Sequence, residues 1–290
     1  MFWNEEHPAL LASAPGRPDR PLSLEPGQNV RLGLGAPRTC VGVWDHRRGR
    51  RIHCSTPIGA QGTDAQCARC AFRDRGRALA RDAYTDDRDY TAYLAYFGPG
   101  LVKVGLTATE RGHRRLLEQG AITYTLLASG PLEAVRAAEK AISRAGLATE
   151  RIRATAKAAA WWNLPPAEER STAVLAVRHA VERSGLLPGT TRLEERVHDN
   201  AAAYNLTAAP PEAYDVLTGL DDEAVLAVGV RAVPGRVLLA DDLDTGRVLL
   251  IDSRLLAGHP TAPATGPSRG LHTTRRIRPP GDAHEQRTLF

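Results

Sequence analysis

All four cysteines of this 290-residue chain lie between positions 40 and 70, in a stretch rich in arginine and glycine. This stretch has too few apolar residues to build a hydrophobic core and therefore needs another source of stability. Residues 67–70 form a CxxC turn, which supplies two thiolates from one tight loop. Zinc takes four soft ligands in a tetrahedron, so we predict a structural zinc site formed by Cys40, Cys54, Cys67 and Cys70.

Three alternatives to this site stay open at the level of sequence. An iron–sulfur cluster also takes four thiolates, and His53 could replace Cys54 as a ligand. The segment could also hold no metal. A redox CxxC usually opens a helix in a βαβ unit, and that context is missing here. A catalytic zinc is not expected, because four thiolates leave no position for water.

Composition and charge limit where in the cell the protein is expected and which partners it can bind. No apolar run is long enough for a transmembrane helix, and the first residues lack a signal-peptide pattern, so we expect a cytoplasmic protein without a membrane partner. In a reducing compartment, cysteines are more often thiolates or metal ligands than disulfides. The net charge of +5 and the pI of about 9.2 permit a phosphate-bearing partner without requiring one.

Nine arginines surround the cysteines and have two interpretations. They form a solvated surface in an arginine-rich protein, or a phosphate-contacting zinc knuckle, since guanidinium groups bind phosphate bidentately. The nine are Arg38, Arg47, Arg48, Arg50, Arg51, Arg69, Arg73, Arg75 and Arg77.

Periodicity predicts an α/β (α+β) fold. Residues 90–97 and 101–106 read as two strands around the Gly98-Pro99-Gly100 turn, which predicts a β-hairpin. A helix at 110–119, a strand at 122–128 and a helix at 132–145 follow, giving the order β-β-α-β-α. Residues 222–258 switch to strands and predict a small antiparallel β unit.

The same reading divides the chain into four parts. We expect an N-terminal strand region with the zinc module at 1–82 and an α/β domain with a helical extension at 83–200. A C-terminal β unit follows at 201–258. Residues 259–290 are rich in Pro, Thr and Arg with few apolar residues, which predicts a disordered tail.

The segment from Tyr93 to Glu139 carries the residue types that metal-assisted phosphodiester cleavage needs. Such chemistry requires a carboxylate for a divalent ion, a group that helps to deprotonate water and a cation for the charged transition state. Glu139, Tyr93 and a helix arginine could supply them if the fold brings them together. Each has a plainer reading: Tyr93 as a core aromatic, Arg114 or Arg115 paired with Glu118, and Glu139 as a solvated helical residue.

In this segment the sequence resembles the GIY-YIG nuclease superfamily. Tyr93 occupies the first-motif tyrosine position, and Lys103-Val104-Gly105 matches a variant of the second motif in which lysine replaces tyrosine. Arg115, with Arg114 as the alternative, matches the helix arginine, and Glu139 matches the metal-binding glutamate. The resemblance implies a catalytic set of Tyr93, Arg115 and Glu139, with Mg²⁺ or Mn²⁺ at Glu139, and nucleic-acid contacts from Lys103, Arg111 and Arg114.

Over roughly residues 30–258 the chain is similar to an uncharacterised bacterial family, domain of unknown function 2797. Its members combine spaced cysteines ending in CxxC with a KVG-type second motif. The resulting hypothesis is a zinc-containing protein that binds DNA or RNA, with divalent-metal-dependent cleavage as one form of it. The alternatives are a non-catalytic nucleic-acid binder and a zinc-stapled scaffold for a protein partner.

Overall fold

A computed structural model describes residues 1–4, 7–45, 48–80, 83–85, 87–206 and 210–278. It is a mixed α/β protein, as the sequence predicts, with a small N-terminal sheet, a cysteine-containing module, a central sheet flanked by helices and a C-terminal sheet. Within the described residues, none of the helices is long and apolar enough to cross a membrane.

Short elements form the N-terminal part. Three antiparallel strands make the first sheet: β1 (Phe2–Asn4), β2 (His7–Ala12) and β3 (Arg20–Ser23). After strand β4 (Asn29–Leu34) comes the cysteine module, with the ribbon β5 (Val43–Asp45) and β6 (Arg50–Ile52) and the helices α1 (Ala68–Arg73) and α2 (Arg75–Ala80). The module buries little besides Cys40, Val43 and Cys70, as expected for a segment without a core of its own.

The central sheet has the predicted β-β-α-β-α order. Its elements are β7 (Asp89–Tyr96), β8 (Val102–Ala108), α3 (Gly112–Gln119), β9 (Thr123–Pro131) and α4 (Leu132–Arg144), with a short 3₁₀ turn (Thr109–Arg111) before α3. Helices α5 (Ala154–Ala160) and α6 (Ala167–Arg183) follow, then the edge strands β10 (Thr191–Arg192) and β11 (Val197–Asp199). The strand order is β10-β9-β7-β8, with β11 also paired to β9.

Side chains alternate between the two faces of the central sheet, as they must along a strand. Ala92 and Leu94 pack with Val135 and Ala138 of α4 in one buried cluster. Tyr93, Ala95 and Phe97 belong to a separate cluster that includes Leu116 of α3. Helices α3 and α4 therefore cover opposite faces of the sheet.

The C-terminal sheet is built around one long strand. Its members are β4, β12 (Ala213–Ala232), β13 (Val237–Asp242), β14 (Val248–Asp252), β15 (Thr261–Pro263) and β16 (Arg269–Ile277). Strand β4, which we expected to fold with the N-terminal zinc region, pairs antiparallel with β12 from Leu34↔Ala224 to Asn29↔Gly229. The cysteine module is thus a long insertion between β4 and the central sheet.

The prediction of a disordered tail from residue 259 is wrong for residues up to 277. Strand β16 pairs antiparallel with β12 from Ile277↔Ala213 to Arg269↔Val225. Most of its side chains are exposed, so backbone hydrogen bonds to β12 order this segment and apolar content does not. Residues 279–290 of the predicted tail lie outside the described residues.

Arg38 fastens the cysteine module to the C-terminal sheet. Its guanidinium is almost fully buried and donates hydrogen bonds to the carbonyl oxygens of Gly59 (3.0 Å) and Gly62 (2.9 Å) within the module. It also donates to those of Arg254 (2.9 Å) and Ala257 (2.8 Å), beyond β14. Arg38 is therefore a structural residue, which corrects its inclusion among the candidate phosphate contacts.

Candidate metal centre and cationic site

The four cysteines converge on one point. The Sγ atoms of Cys40, Cys54, Cys67 and Cys70 all lie within 4.8 Å of one another, and Cys54 Sγ and Cys67 Sγ are 4.0 Å apart. A tetrahedral zinc with Zn–S bonds of about 2.3 Å separates its sulfurs by about 3.8 Å. The arrangement fits a metal ion such as zinc, and Cys54 takes the place for which His53 was the alternative.

The backbone around the cysteines favours negatively charged sulfur. The amide groups of Gly42 and Cys67 each lie 3.3 Å from Cys40 Sγ and donate to it. Hydrogen bonding to Thr56 lowers the pKa of the Cys54 thiol to about 6. Burial, followed by the neighbouring sulfurs, raises the pKa of Cys70 to about 12. A bound divalent cation would offset that cost, because it stabilises coordinated thiolates.

The arginines of the cysteine module divide into exposed and engaged groups. Arg51 donates to the carbonyl oxygen of Val41 at 2.9 Å, and Arg77 pairs with Asp64 at 2.6 Å. Exposed positions hold Arg48, Arg50, Arg69 and Arg73. Arg47 and the neighbouring His46 lie outside the described residues. The exposed group forms a basic surface beside the metal centre.

Tyr93 lies at a polar junction on the α3 face of the central sheet. It is buried, and its cross-strand partner on β8 is Gly105. A Cβ at Gly105 would lie 2.3 Å from the Tyr93 hydroxyl oxygen, so only glycine leaves room for this ring. The hydroxyl accepts hydrogen bonds from Gln119 Nε2 (2.6 Å) and Lys103 Nζ (3.4 Å). The structure thus brings together Tyr93 and Lys103.

Lys157, which sequence reasoning missed, joins the same junction from α5. Its Nζ donates to the carbonyl oxygen of Gln119 at 2.9 Å and lies 3.5 Å from the centroid of the Phe97 ring. Helix α5 reaches this position because Gly98 lets Ala160 approach: a Cβ on Gly98 would lie 2.2 Å from that of Ala160. The only signal in the sequence is a lone lysine in an alanine-rich helix.

The pKa of Lys157 reflects its burial and the positive charges near it. Burial, then the charges of Lys103, Arg236 and Arg115, lower the pKa of Lys157 to about 7. Arg236 follows the Pro234–Gly235 turn, and that turn packs directly on Gly120 at the end of α3. We call the group formed by Tyr93, Lys103, Arg115, Gln119, Lys157 and Arg236 the Tyr93 site.

The other predicted nucleic-acid contacts, Arg111 and Arg114, lie at the beginning of α3. Glu118 pairs with Arg111, with Arg114 at 3.6 Å and with Arg115 at 3.5 Å, so one carboxylate is shared by three guanidinium groups. The ion pairs of Arg114 and Arg115 with Glu118 are those that the sequence analysis gave as the alternative to a functional role.

On the C-terminal side, Asp252 pairs with Arg254 at 2.6 Å and with Arg236 at 3.8 Å. Lys103 and Lys157 form no ion pair with a carboxylate in the described part of the chain. Within that part of the chain, Glu118 and Asp252 thus pair with arginines alone: Arg111, Arg114, Arg115, Arg236 and Arg254. Positive charges therefore outnumber negative charges on this surface.

Glu139 does not join these residues. It lies on α4, whose neighbouring Ala138 is buried with Ala92 and Leu94 on the face of the sheet opposite Tyr93. The catalytic hypothesis required Tyr93, Arg115 and Glu139 to converge on one cleft. Tyr93 and helix α3, which carries Arg115, lie on one face of the sheet, and α4, which carries Glu139, packs on the other.

A comparison with known families identifies the relationship of the chain. The family model described as "Protein of unknown function (DUF2797)" matches residues 27–260. The chain belongs to this family. The DUF2797 match begins just before β4 and spans the cysteine module, the central sheet and most of the C-terminal sheet. No curated protein and no solved structure gives a match, and the likeness to GIY-YIG nucleases stays a prediction.

Proposed function

We propose that this DUF2797 protein is a zinc-stapled nucleic-acid-binding protein that holds phosphate at the Tyr93 site. One observation carries the proposal: Lys103 contacts Tyr93 and Lys157 contacts Gln119, and neither lysine pairs with a carboxylate among the described residues. Like charges held close together in a partly buried setting cost free energy in the absence of a ligand. An anion that binds between them recovers that cost.

The surroundings of the Tyr93 site favour a polyanion over a single small anion. Arg111 and Arg114 extend the positive surface along α3, and the exposed arginines of the cysteine module provide a second one. A hydrogen bond from Arg77, then its charge, lower the pKa of Asp64 in this module, and the charge of Arg254 contributes less. A nucleic-acid backbone carries a phosphate at every nucleotide, so one strand can contact more than one basic surface.

Zinc is the metal we propose for the four cysteines, and its role is structural. Cys40, Cys54, Cys67 and Cys70 would hold it with four thiolates, which leaves no position for a substrate. The ion would contribute the folding free energy that the module lacks and would keep its arginines in a fixed arrangement.

Cleavage is not part of the proposal. The carboxylate assigned to the divalent ion, that of Glu139, belongs to α4, which packs on the face of the sheet opposite Tyr93. The carboxylates paired with the cations beside Tyr93 are Glu118 and Asp252, and arginines hold both of them. A site rich in cations and poor in open carboxylates binds phosphate more readily than it binds Mg²⁺.

Fluorescence anisotropy of the full-length, zinc-loaded protein tests the proposal with labelled single- and double-stranded DNA and RNA over a salt series. We expect salt-dependent binding, and Lys103→Met should weaken it and reduce the slope of log K against log[salt] by roughly 0.7–0.9, the value for one lost phosphate contact. Lys140→Met, a matched change on α4, should leave binding intact. Absence of binding to every substrate at low salt would overturn the proposal.

The same preparations separate binding from cleavage. We expect no cleavage in Mn²⁺ or Mg²⁺ and no effect of Glu139→Ala on affinity, because α4 lies on the other face of the sheet. Cleavage by the wild type that disappears in Glu139→Ala would restore the nuclease hypothesis and contradict a purely binding role.

A further inference from the structure

Donor groups at the Tyr93 site are only partly used. Lys157 spends one of its three N–H donors on the Gln119 carbonyl, and Lys103 spends donors on the Tyr93 hydroxyl and on the Val104 carbonyl (3.0 Å). The Tyr93 hydroxyl accepts from Lys103 and Gln119, so its own hydrogen has no acceptor within the described residues. Three side chains therefore offer donors to a common ligand, and none of them offers a carboxylate.

These donors lie at different depths. Phe97 is fully buried, and the Lys157 ammonium rests on its ring, so this donor forms the floor of the site. The guanidinium groups of Arg115 and Arg236 are roughly half exposed and form the rim. An internal phosphodiester has a sugar on both sides, whereas a terminal phosphate has one, so a terminal phosphate reaches the floor with less obstruction.

Charge gives a second reason to distinguish the two ligands. An internal phosphodiester has one negative charge, whereas a phosphate monoester has a charge of about −1.5 to −2 at neutral pH and three strong acceptor oxygens. Within the part of the chain that the structure describes, the two lysines of the site form no ion pair, and its two arginines share their carboxylates with other arginines. The ligand with more charge and more acceptors matches this set.

We propose that the Tyr93 site binds the terminal phosphate monoester of a nucleic-acid strand, with Lys157 at the floor, Lys103 and the Tyr93 hydroxyl at the side, and Arg115 and Arg236 at the rim. This inference rests on the proposed nucleic-acid function and goes further, because it assigns the strand end as the ligand.

The state of Lys157 supports this assignment. Burial and the nearby charges of Lys103, Arg236 and Arg115 bring its pKa close to neutrality, so part of the free protein has an uncharged amine there. A dianion placed among these four cations favours the ammonium form and draws a proton onto Lys157 as it binds.

The experiment compares labelled oligonucleotides of one sequence that differ only at their ends: hydroxyls at both ends, a 5′-phosphate, or a 3′-phosphate. Anisotropy is measured with the full-length, zinc-loaded protein. We expect one phosphorylated form to bind roughly tenfold or more tightly than the hydroxyl form, as expected for an added charge-assisted hydrogen bond. Lys157→Met should reduce that ratio towards one, and Lys140→Met should preserve it.

The outcomes separate this inference from the proposed function. Equal affinity for all three oligonucleotides, together with weaker binding by Lys103→Met, would retain nucleic-acid binding and overturn the assignment of the strand end. No binding to any oligonucleotide would overturn both. Competition by a nucleoside monophosphate as effective as that by the phosphorylated oligonucleotide would show that the strand adds nothing, which also overturns the inference.

Discussion

Replacing Lys157 with methionine should change how the stability of the protein depends on pH. In the folded protein, burial and then the charges of Lys103, Arg236 and Arg115 lower the pKa of Lys157 to about 7, from an ordinary value of 10.5. Methionine keeps a similar length and volume and removes the charge. The substitution therefore isolates the free-energy cost of holding a charged amine at this position.

The sign follows from proton linkage. Between pH 7 and pH 10.5 the unfolded chain binds more protons at Lys157 than the folded chain does, so the free energy of unfolding rises with pH in this window. Each pKa unit corresponds to about 1.4 kcal/mol, so stability should rise by about 2–3 kcal/mol between about pH 7 and 9.5 through this residue alone. Lys157→Met should lack this rise and should be relatively more stable near neutral pH than at alkaline pH.

The assay is urea unfolding followed by tryptophan fluorescence at several pH values for the wild type, Lys157→Met and Lys140→Met, all with zinc. The difference between wild type and Lys157→Met is the relevant quantity, because titration of the cysteines is common to both proteins and cancels. The difference should shrink or change sign as pH rises, and Lys140→Met should track the wild type. A constant difference between wild type and Lys157→Met across the pH range would refute the assignment of a depressed pKa to Lys157.

Three further changes test other parts of the structure. Cys70→Ser should lose bound metal, measured by elemental analysis, and expose the cysteine module to limited proteolysis; retained metal would contradict a four-thiolate site. Gly105→Val places atoms where the Tyr93 hydroxyl lies, so it should lower the free energy of unfolding by about 1–3 kcal/mol and weaken nucleic-acid binding. Unchanged binding would show that Tyr93 does not contribute to the binding site. Arg38→Met leaves buried carbonyl oxygens without donors and should cost at least about 3 kcal/mol in thermal or urea unfolding, whereas the exposed Arg50→Met should cost little.

The metal centre was predictable because its signal is local. Cys67 and Cys70 are only three positions apart, and an arginine-rich stretch without a core requires a cross-link wherever it lies in the fold. The choice between Cys54 and His53 was not local, since both residues lie within reach in sequence. The positions of the sulfur atoms decide it in favour of Cys54.

The tail shows where composition misleads. Strand β16 has few buried side chains, so its sequence resembles that of a disordered segment. Its order comes from the backbone hydrogen-bonding edge of β12, more than forty residues earlier in the chain. The composition of a segment indicates how much apolar surface it can bury. It does not indicate whether another part of the chain has a free strand edge with which the segment can pair.

By itself the sequence determined the four-cysteine cluster, the β-β-α-β-α order of the central unit and the hairpin that carries Tyr93, because short-range chemistry and periodicity fix all three. Only the tertiary structure decided which residues share a site. Strand alternation and helix packing place Tyr93 and α4, which carries Glu139, on opposite faces of one sheet. Helix α5 brings Lys157 to Gln119, and the Pro234–Gly235 turn packs against Gly120 just before Arg236. Catalytic residue types in the right order along a chain need not lie on the same face of the sheet, because packing decides the face on which each residue lies.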